Sequence, residues 1–205
     1  SQVAKSKENF PVAPFFLPKK LRLAICIIYS FARNADNIAD EGELSAKDRL
    51  YKLNYIWQQL DKIKQNAQVA KEFLPLSMVI KKHQQPIKYF FDLLLAFQSD
   101  IVKTTYETQQ EVLSYCQLSA NPVGRILLHL TQTATNDNII LSDKICTSLQ
   151  LINFLQDYQS DLIVRGRCYL PLDELEQHIV ALSDITDGKI SVGLANCLET
   201  HTEKA

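Results

Sequence analysis

Two stretches of the sequence place carboxylates where an α-helix tolerates them least, and any fold open to the chain has to compensate both. The first, Phe31 to Gly42, reads FARNADNIADEG and continues a largely apolar run that starts at Leu23. Helix carbonyls make a C-terminal end electronegative, so each acid there is unfavourable by about 0.3–1 kcal/mol. With a turn of about 100° per residue, Tyr29, Arg33, Asp36 and Asp40 fall on one line. Ile25, Ile28, Phe31, Ala32, Ala35, Ile38 and Ala39 surround that line, so it is a polar stripe in a mostly buried helix and not a solvated face. The second stretch, LQLINFLQDYQSD, repeats the arrangement with Gln150, Asn153, Asp157 and Asp161, flanked by Leu149, Leu151, Ile152, Phe154, Leu155 and Leu162.

One stripe alone is accounted for by a solvated helix edge or by a buried ion-pair network kept for specificity. Two matching stripes argue for more. Packed face to face, they bring four carboxylates and two negative helix ends together, which cannot all stay ionised without cations between them. All-oxygen donors select a hard ion, and Mg²⁺ typically joins a few carboxylates to substrate phosphates while keeping some of its waters. With Arg33 and Arg167 nearby, the two Asp-x-x-x-Asp pairs read as a clamp for a diphosphate whose hydrocarbon lies along the apolar walls of the same helices. Metal would neutralise charge on the departing diphosphate, and a dry pocket would protect the carbocation left behind. The ring faces of Tyr29, Phe31, Tyr115 or Phe154 suit that cation.

The rest of the sequence agrees with helices. Five glycines and seven prolines in 205 residues are too few for the turns of a sandwich or barrel, and 46% hydrophobic composition suffices for one core, so residues 1–205 are expected to form a single domain. A net charge of −1 without a Lys/Arg cluster excludes a nucleic-acid partner. Cys26, Cys116, Cys146, Cys168 and Cys197 are scattered and form no Cys-x-x-Cys pair, which fits a reducing cytoplasm better than a disulfide framework or a zinc site. The N-terminal SQVAKSKENF lacks a secretion-type apolar core, and the longest apolar run is about half the ~20 residues a spanning helix needs.

Along the chain, residues 1–17 read as irregular and Pro18 as a helix start, with the first helix running to about Glu41 and Gly42 ending it. Ser45 with Asp48 resembles a capping box before the next helix. Helices are expected at about 69–83, 86–103 and 107–119. Asn121-Pro122 predicts a break, followed by helix over 123–134, a long helix over 140–164 that stops before Gly166, and short helices near 172–179 and 188–203.

FARNADNIAD and LINFLQDYQSDLIVRGRCYLP resemble the two aspartate-rich signatures of the squalene/phytoene synthase family. The resemblance implies an all-α, isoprenoid synthase-type helical bundle around a central cavity, with Mg²⁺ as cofactor and a prenyl diphosphate as substrate. It implies Asp36, Asp40, Asp157 and Asp161 as metal-side catalytic residues, Asn153 as a further metal-side ligand, Arg33 and Arg167 as diphosphate contacts, and Tyr29 and Tyr115 as pocket residues near the reacting carbons. ENFPVAPFFLPKKLR, FARNADNIADEGE and YCQLSANPVGRILLHL are similar to the bacterial hydroxysqualene synthase branch, which ionises presqualene diphosphate and lets water capture the rearranged cation. The alternative within the class is head-to-head condensation of two farnesyl diphosphates to squalene or a phytoene-like product. A silent binding or assembly relative is the rival outside it, and such a protein is expected to lose aspartates that are all present here. Other squalene-pathway enzymes and a peripheral membrane contact are the partners this implies.

Two departures from the family pattern stand out. The segment from Asp161 to Arg167 is one residue longer. The family continues for several more helices, whereas CLETHTEKA carries no helix-terminating signal, which predicts a bundle lacking its C-terminal helices and a pocket left open. Asp92 and Asp100, with Tyr106, lie on the apolar helix FFDLLLAFQSDIVKTTY and read as surface capping or pairing residues, with a role behind the site as the other possibility. His83, His129, His178 and His201 form no ligand pair.

Overall fold

A computed structural model describes residues 19–204, and the expected N-terminal irregular segment with its Pro18 helix start lies outside the described residues. Among the described residues there are ten α-helices and no strand. α1 (Lys19–Asp40) ends where expected, with Gly42 in the left-handed region at φ 80°. α2 (Ala46–Lys64) is capped by Ser45, whose Oγ accepts from the Asp48 N–H at 3.1 Å and donates to the Asp48 carboxylate at 2.6 Å. After a 3-10 turn at Lys71–Phe73 come α3 (Leu74–Lys82), α4 (Lys88–Val102) and α5 (Gln109–Ser119).

α6 (Asn121–Leu130) starts at the expected Asn-Pro break, because proline's missing donor costs nothing in a first turn. It stops four residues short of the expected 134, where Gln132 turns left-handed at φ 59°. α7 (Asn136–Arg165) begins earlier than the expected 140: Thr135 caps it by accepting from the Asn138 N–H, and the polar Asn136-Asp137-Asn138 forms its first turn. Three short helices follow, α8 (Leu172–Gln177), the unexpected α9 (Leu182–Thr186), and α10 (Val192–Lys204).

The main core lies among α1 to α4 and α6, around Phe31, Leu53, Leu60, Phe90, Leu94 and Ile126. A second, aromatic core joins α4, α5 and α7 through Tyr106, Tyr115, Phe154 and Tyr169. The third holds α8 to α10 against α7. α6 can press onto α7 because Gly124 has no Cβ; one built there would collide with Ser142 Oγ and lie 2.7 Å from Cys146 Sγ. No helix among the described residues is long and apolar enough to cross a membrane.

The segment after α7 is anchored at both of its ends. Gly166 closes that helix at φ 67°, and the Arg167 N–H turns back to the Asp161 carbonyl at 3.1 Å. The chain then runs beside the segment leaving α4: Cys168 N–H bonds Thr104 O at 2.8 Å, Leu172 N–H bonds Tyr106 O at 2.9 Å, and Asp173 N–H bonds Glu107 O at 3.1 Å. These bonds fix Arg167 and Tyr169 between the ends of α1, α4 and α7.

Candidate active site

The two acidic stripes meet at their last acids alone, Asp40 and Asp161, through an arginine that bridges them. Asp40 of α1 accepts from Arg167 Nη2 at 2.8 Å through Oδ1 and pairs with Arg165 Nε at 3.2 Å through Oδ2. The Arg165 guanidinium also reaches Asp161 Oδ1, with Nη1 at 2.6 Å, so one side chain ties the last acid of the first stripe to the last acid of the second. Farther up α1, Arg33 Nη1 donates to Asp36 Oδ2 at 3.1 Å and Nη2 approaches Glu41 Oε1 at 3.6 Å. Asp157 stands exposed one turn before Asp161, and Tyr29 and Asn153 are half-buried on the same lines of α1 and α7.

The acids at the end of α1 are therefore offset from within the protein. Arg165 and Arg167 supply two of the cations. Arg49 of α2 supplies a third, donating to the carbonyls of Ile38 at 2.8 Å, Gly42 at 2.7 Å and Leu44 at 3.1 Å. It covers the electronegative helix end that the aspartates would otherwise worsen.

Offsetting is incomplete. Burial, aided by the Asp40 charge, pushes the Asp36 carboxyl up to about 6 against the pull of Arg33 and Arg165. Burial also raises Asp161, with Asp157 adding to the effect and Arg165 opposing it. Two aspartates of the site are thus harder to ionise than a free carboxyl, which is the state a further cation relieves. No group of three or more His, Cys, Asp or Glu gathers into a metal-holding cluster among the described residues.

Behind the arginines lies a polar network with no local signature. Arg167, 6% exposed, donates its Nε–H to the Asp100 carbonyl at 2.9 Å. The Asp100 carboxylate, 8% exposed, accepts from Tyr115 OH at 2.7 Å and Tyr169 OH at 3.2 Å. Tyr169 stacks on Phe154 with ring centroids 4.0 Å apart and planes within 6°. Asp100 is therefore not a surface residue but takes the other role expected of it, behind the site, where it holds two phenols beside the Asp40 arginine. Asp92 pairs as expected, with Lys88 at 2.5 Å, but it too is buried and not on the surface. Of the histidines, His201 is fully buried in the core, with Nδ1 3.6 Å from Glu174 Oε2.

Burial pushes the Asp100 carboxyl up to about 6, against the opposing pull of Arg167 and the tyrosine hydroxyls. A carboxyl raised on folding binds its proton more tightly in the folded state, so its cost is absent in acid and grows as pH rises from about 4 to 6. Asp100→Asn keeps the shape without the charge. Measured by urea unfolding, wild type should lose stability relative to that variant between pH 4 and 6.5, by on the order of 3 kcal/mol at most. A difference independent of pH would mean that Asp100 ionises freely.

The chain belongs to the squalene/phytoene synthase family, whose sequence model matches residues 3–205 and so takes in both aspartate pairs. It is 32% identical to the hydroxysqualene synthase of Sinorhizobium fredii (strain NBRC 101917 / NGR234), covering 100% of this chain and 69% of that protein. It is 35% identical to the hydroxysqualene synthase of Zymomonas mobilis subsp. mobilis, covering 96% and 66%. The chain thus spans about two thirds of the length of these curated relatives. Among solved structures, the squalene synthase HpnC from Alicyclobacillus acidocaldarius superposes with a TM-score of 0.86 at 31% identity, over 97% of this chain and 74% of that one.

Proposed function

We propose that the protein is an Mg²⁺-dependent enzyme of squalene and hopanoid biosynthesis that ionises presqualene diphosphate and lets water capture the cation, giving hydroxysqualene. The observation that carries this reading is the meeting of the α1 and α7 aspartates, joined through Arg165 with Arg167 beside them. The kinship with two hydroxysqualene synthases supports the choice of branch.

The donor set fits a hard divalent ion. Apart from the Asn153 amide its members are carboxylates, two of them raised chiefly by burial and further by a neighbouring aspartate, Asp40 beside Asp36 and Asp157 beside Asp161. Asp36, Asp40, Asp157 and Asp161, with Asn153, are the residues that would hold the metal; among the described residues no three acids gather closely enough to hold it by themselves, so water and diphosphate oxygens would supply much of its shell. Bound there, Mg²⁺ would neutralise the charge that develops on the leaving diphosphate.

The remaining tasks fall to side chains of this chain. Arg33 and Arg167 orient the diphosphate; Arg167 is held for this by its bond to the Asp100 carbonyl. Ile25, Ile28 and Ala32, half-buried on the α1 wall beside the stripe, exclude water from the reacting carbons. Tyr29, half-buried on the α1 stripe, offers a ring face to the cation, whereas Tyr115, packed among Tyr106, Phe154 and Tyr169, supports the site from behind through Asp100. A peripheral membrane contact suits so insoluble a product, and the outward Leu74 and Met78 of α3, beside Lys71, Lys81 and Lys82, suit an anionic lipid surface.

The test is product analysis. Purified protein given isotope-labelled presqualene diphosphate and Mg²⁺ should release diphosphate and form hydroxysqualene, and EDTA should stop both. Consumption of farnesyl diphosphate with presqualene diphosphate returned untouched would transfer the assignment to head-to-head condensation. Release of diphosphate from neither substrate would overturn both.

A further inference from the structure

Arg165 has no place in the Asp-x-x-x-Asp pattern, yet it stands where a cation shared by the two stripes would have to stand. Its guanidinium is 3.2 Å from Asp40 Oδ2 and 2.6 Å from Asp161 Oδ1, and it occupies one oxygen of each carboxylate. The i,i+4 spacing from Asp161 makes this possible, because it sets the guanidinium directly over that carboxylate on the last turn of α7. Gly166 closes the helix directly after Arg165, which leaves that side chain on the final turn.

The two arginines at Asp40 differ in how firmly they are held. Arg167 is buried and anchored to the Asp100 carbonyl. The Arg165 side chain is 35% exposed, and both of its ion-pair partners are the carboxylates themselves. It sits on the terminal turn, where a side chain swings without disturbing packing. Of the two, it is the one that can leave.

We propose that Arg165 is an exchangeable counter-ion. In the free protein it pairs Asp40 with Asp161; when a divalent cation and a diphosphate arrive together, it gives up the carboxylates and takes diphosphate oxygens. This rests on the clamp reading and adds a residue to it. The exchange conserves charge pairing: two carboxylates pass from a guanidinium to a metal, and the guanidinium passes to a phosphate, which its planar fork matches equally well. Metal alone has to displace Arg165 with nothing to receive it, so it binds weakly. Metal with diphosphate gives the arginine a new partner, so the two ligands bind cooperatively.

The consequence is a change of opposite sign for two probes. By isothermal titration calorimetry, Arg165→Gln should bind Mg²⁺ alone several-fold more tightly than wild type, because a competitor for Asp40 and Asp161 is gone. The same variant should bind inorganic pyrophosphate in the presence of Mg²⁺ about tenfold more weakly, the loss of one charge-assisted contact. Arg165→Lys, which keeps the charge without the fork, should fall between wild type and Arg165→Gln for both probes and guards against a folding artefact. If wild type binds both probes and Arg165→Gln weakens both or changes neither, Arg165 is structural and the exchange is wrong while the clamp stands. If wild type binds neither probe, the clamp and the exchange fall together.

Discussion

Asp36→Asn and Asp157→Asn should each lower turnover of a prenyl diphosphate by about 10²–10³-fold while leaving the melting temperature within a few degrees of wild type. In the proposed clamp each aspartate is a charged donor to a metal that would offset several kcal/mol of developing negative charge, and each 1.36 kcal/mol in the barrier is about tenfold in rate. The small stability effect follows from the surroundings. Asp157 is exposed, and Asp36 is a carboxyl that burial already disfavours as an anion, so neither loses a strong native interaction on becoming neutral. Its Arg33 partner remains half-exposed and hydrated, which keeps that pair weak. Near-wild-type rates in either variant would remove that residue from the clamp; a large drop in melting temperature would mean that it is structural.

Arg167→Met should behave in the opposite way and cost stability as well as activity, about 2–4 kcal/mol, read by urea denaturation. Arg167 is nearly buried, and its removal leaves Asp40 with only the more exposed Arg165, and the Asp100 carbonyl without its donor. Breaking a buried pair by deleting one partner is costly because the other charge stays behind. For a chain of this size the loss is a fall of roughly 5–15 °C in melting temperature. Arg167→Lys should not restore it, since an ammonium cannot span both the Asp40 carboxylate and the Asp100 carbonyl as the guanidinium does. Loss of less than about 0.5 kcal/mol would show that the arginine is not holding the ends of α1 and α4 together.

These two responses mark the boundary between what the sequence discloses and what only the fold does. The stripes on α1 and α7 are legible because helical periodicity is local: residues three, four and seven apart share a face whatever else the chain does. For the same reason the Ser45 cap, the Asn121-Pro122 break and the stop at Gly166 appear in the sequence. The end of α6 and the start of α7 are not legible to the residue, because Gln132 reads as an ordinary helix former although it turns left-handed, and the polar first turn of α7 looks like loop.

Asp100, Tyr169, Arg49 and Arg165 are hidden for a different reason. Each acts on a partner supplied by another element: Asp100 of α4 on Tyr169, more than sixty residues later, and Arg49 of α2 on the end of α1. The roles of Asp100 and Tyr169 arise from the pairing of the segments around Thr104–Glu107 and Cys168–Asp173, which no short-range pattern encodes. A usable signal did exist for Arg165, the i,i+4 spacing from Asp161, but it is shared by many ordinary surface ion pairs. For the same reason the excess of carboxylates reads in the sequence as a demand for metal, whereas in the fold guanidinium groups meet much of it.

Crystals of the protein grown with Mg²⁺ and a diphosphate analogue that cannot ionise offer the most direct test of whether the two stripes form one binding site. Density for metal and diphosphate should lie together between residues 33–40 and 153–161, with oxygens of both aspartate pairs on the metal side. A diphosphate bound elsewhere, with Asp40 and Asp161 still held by Arg165, would end the case for a shared clamp.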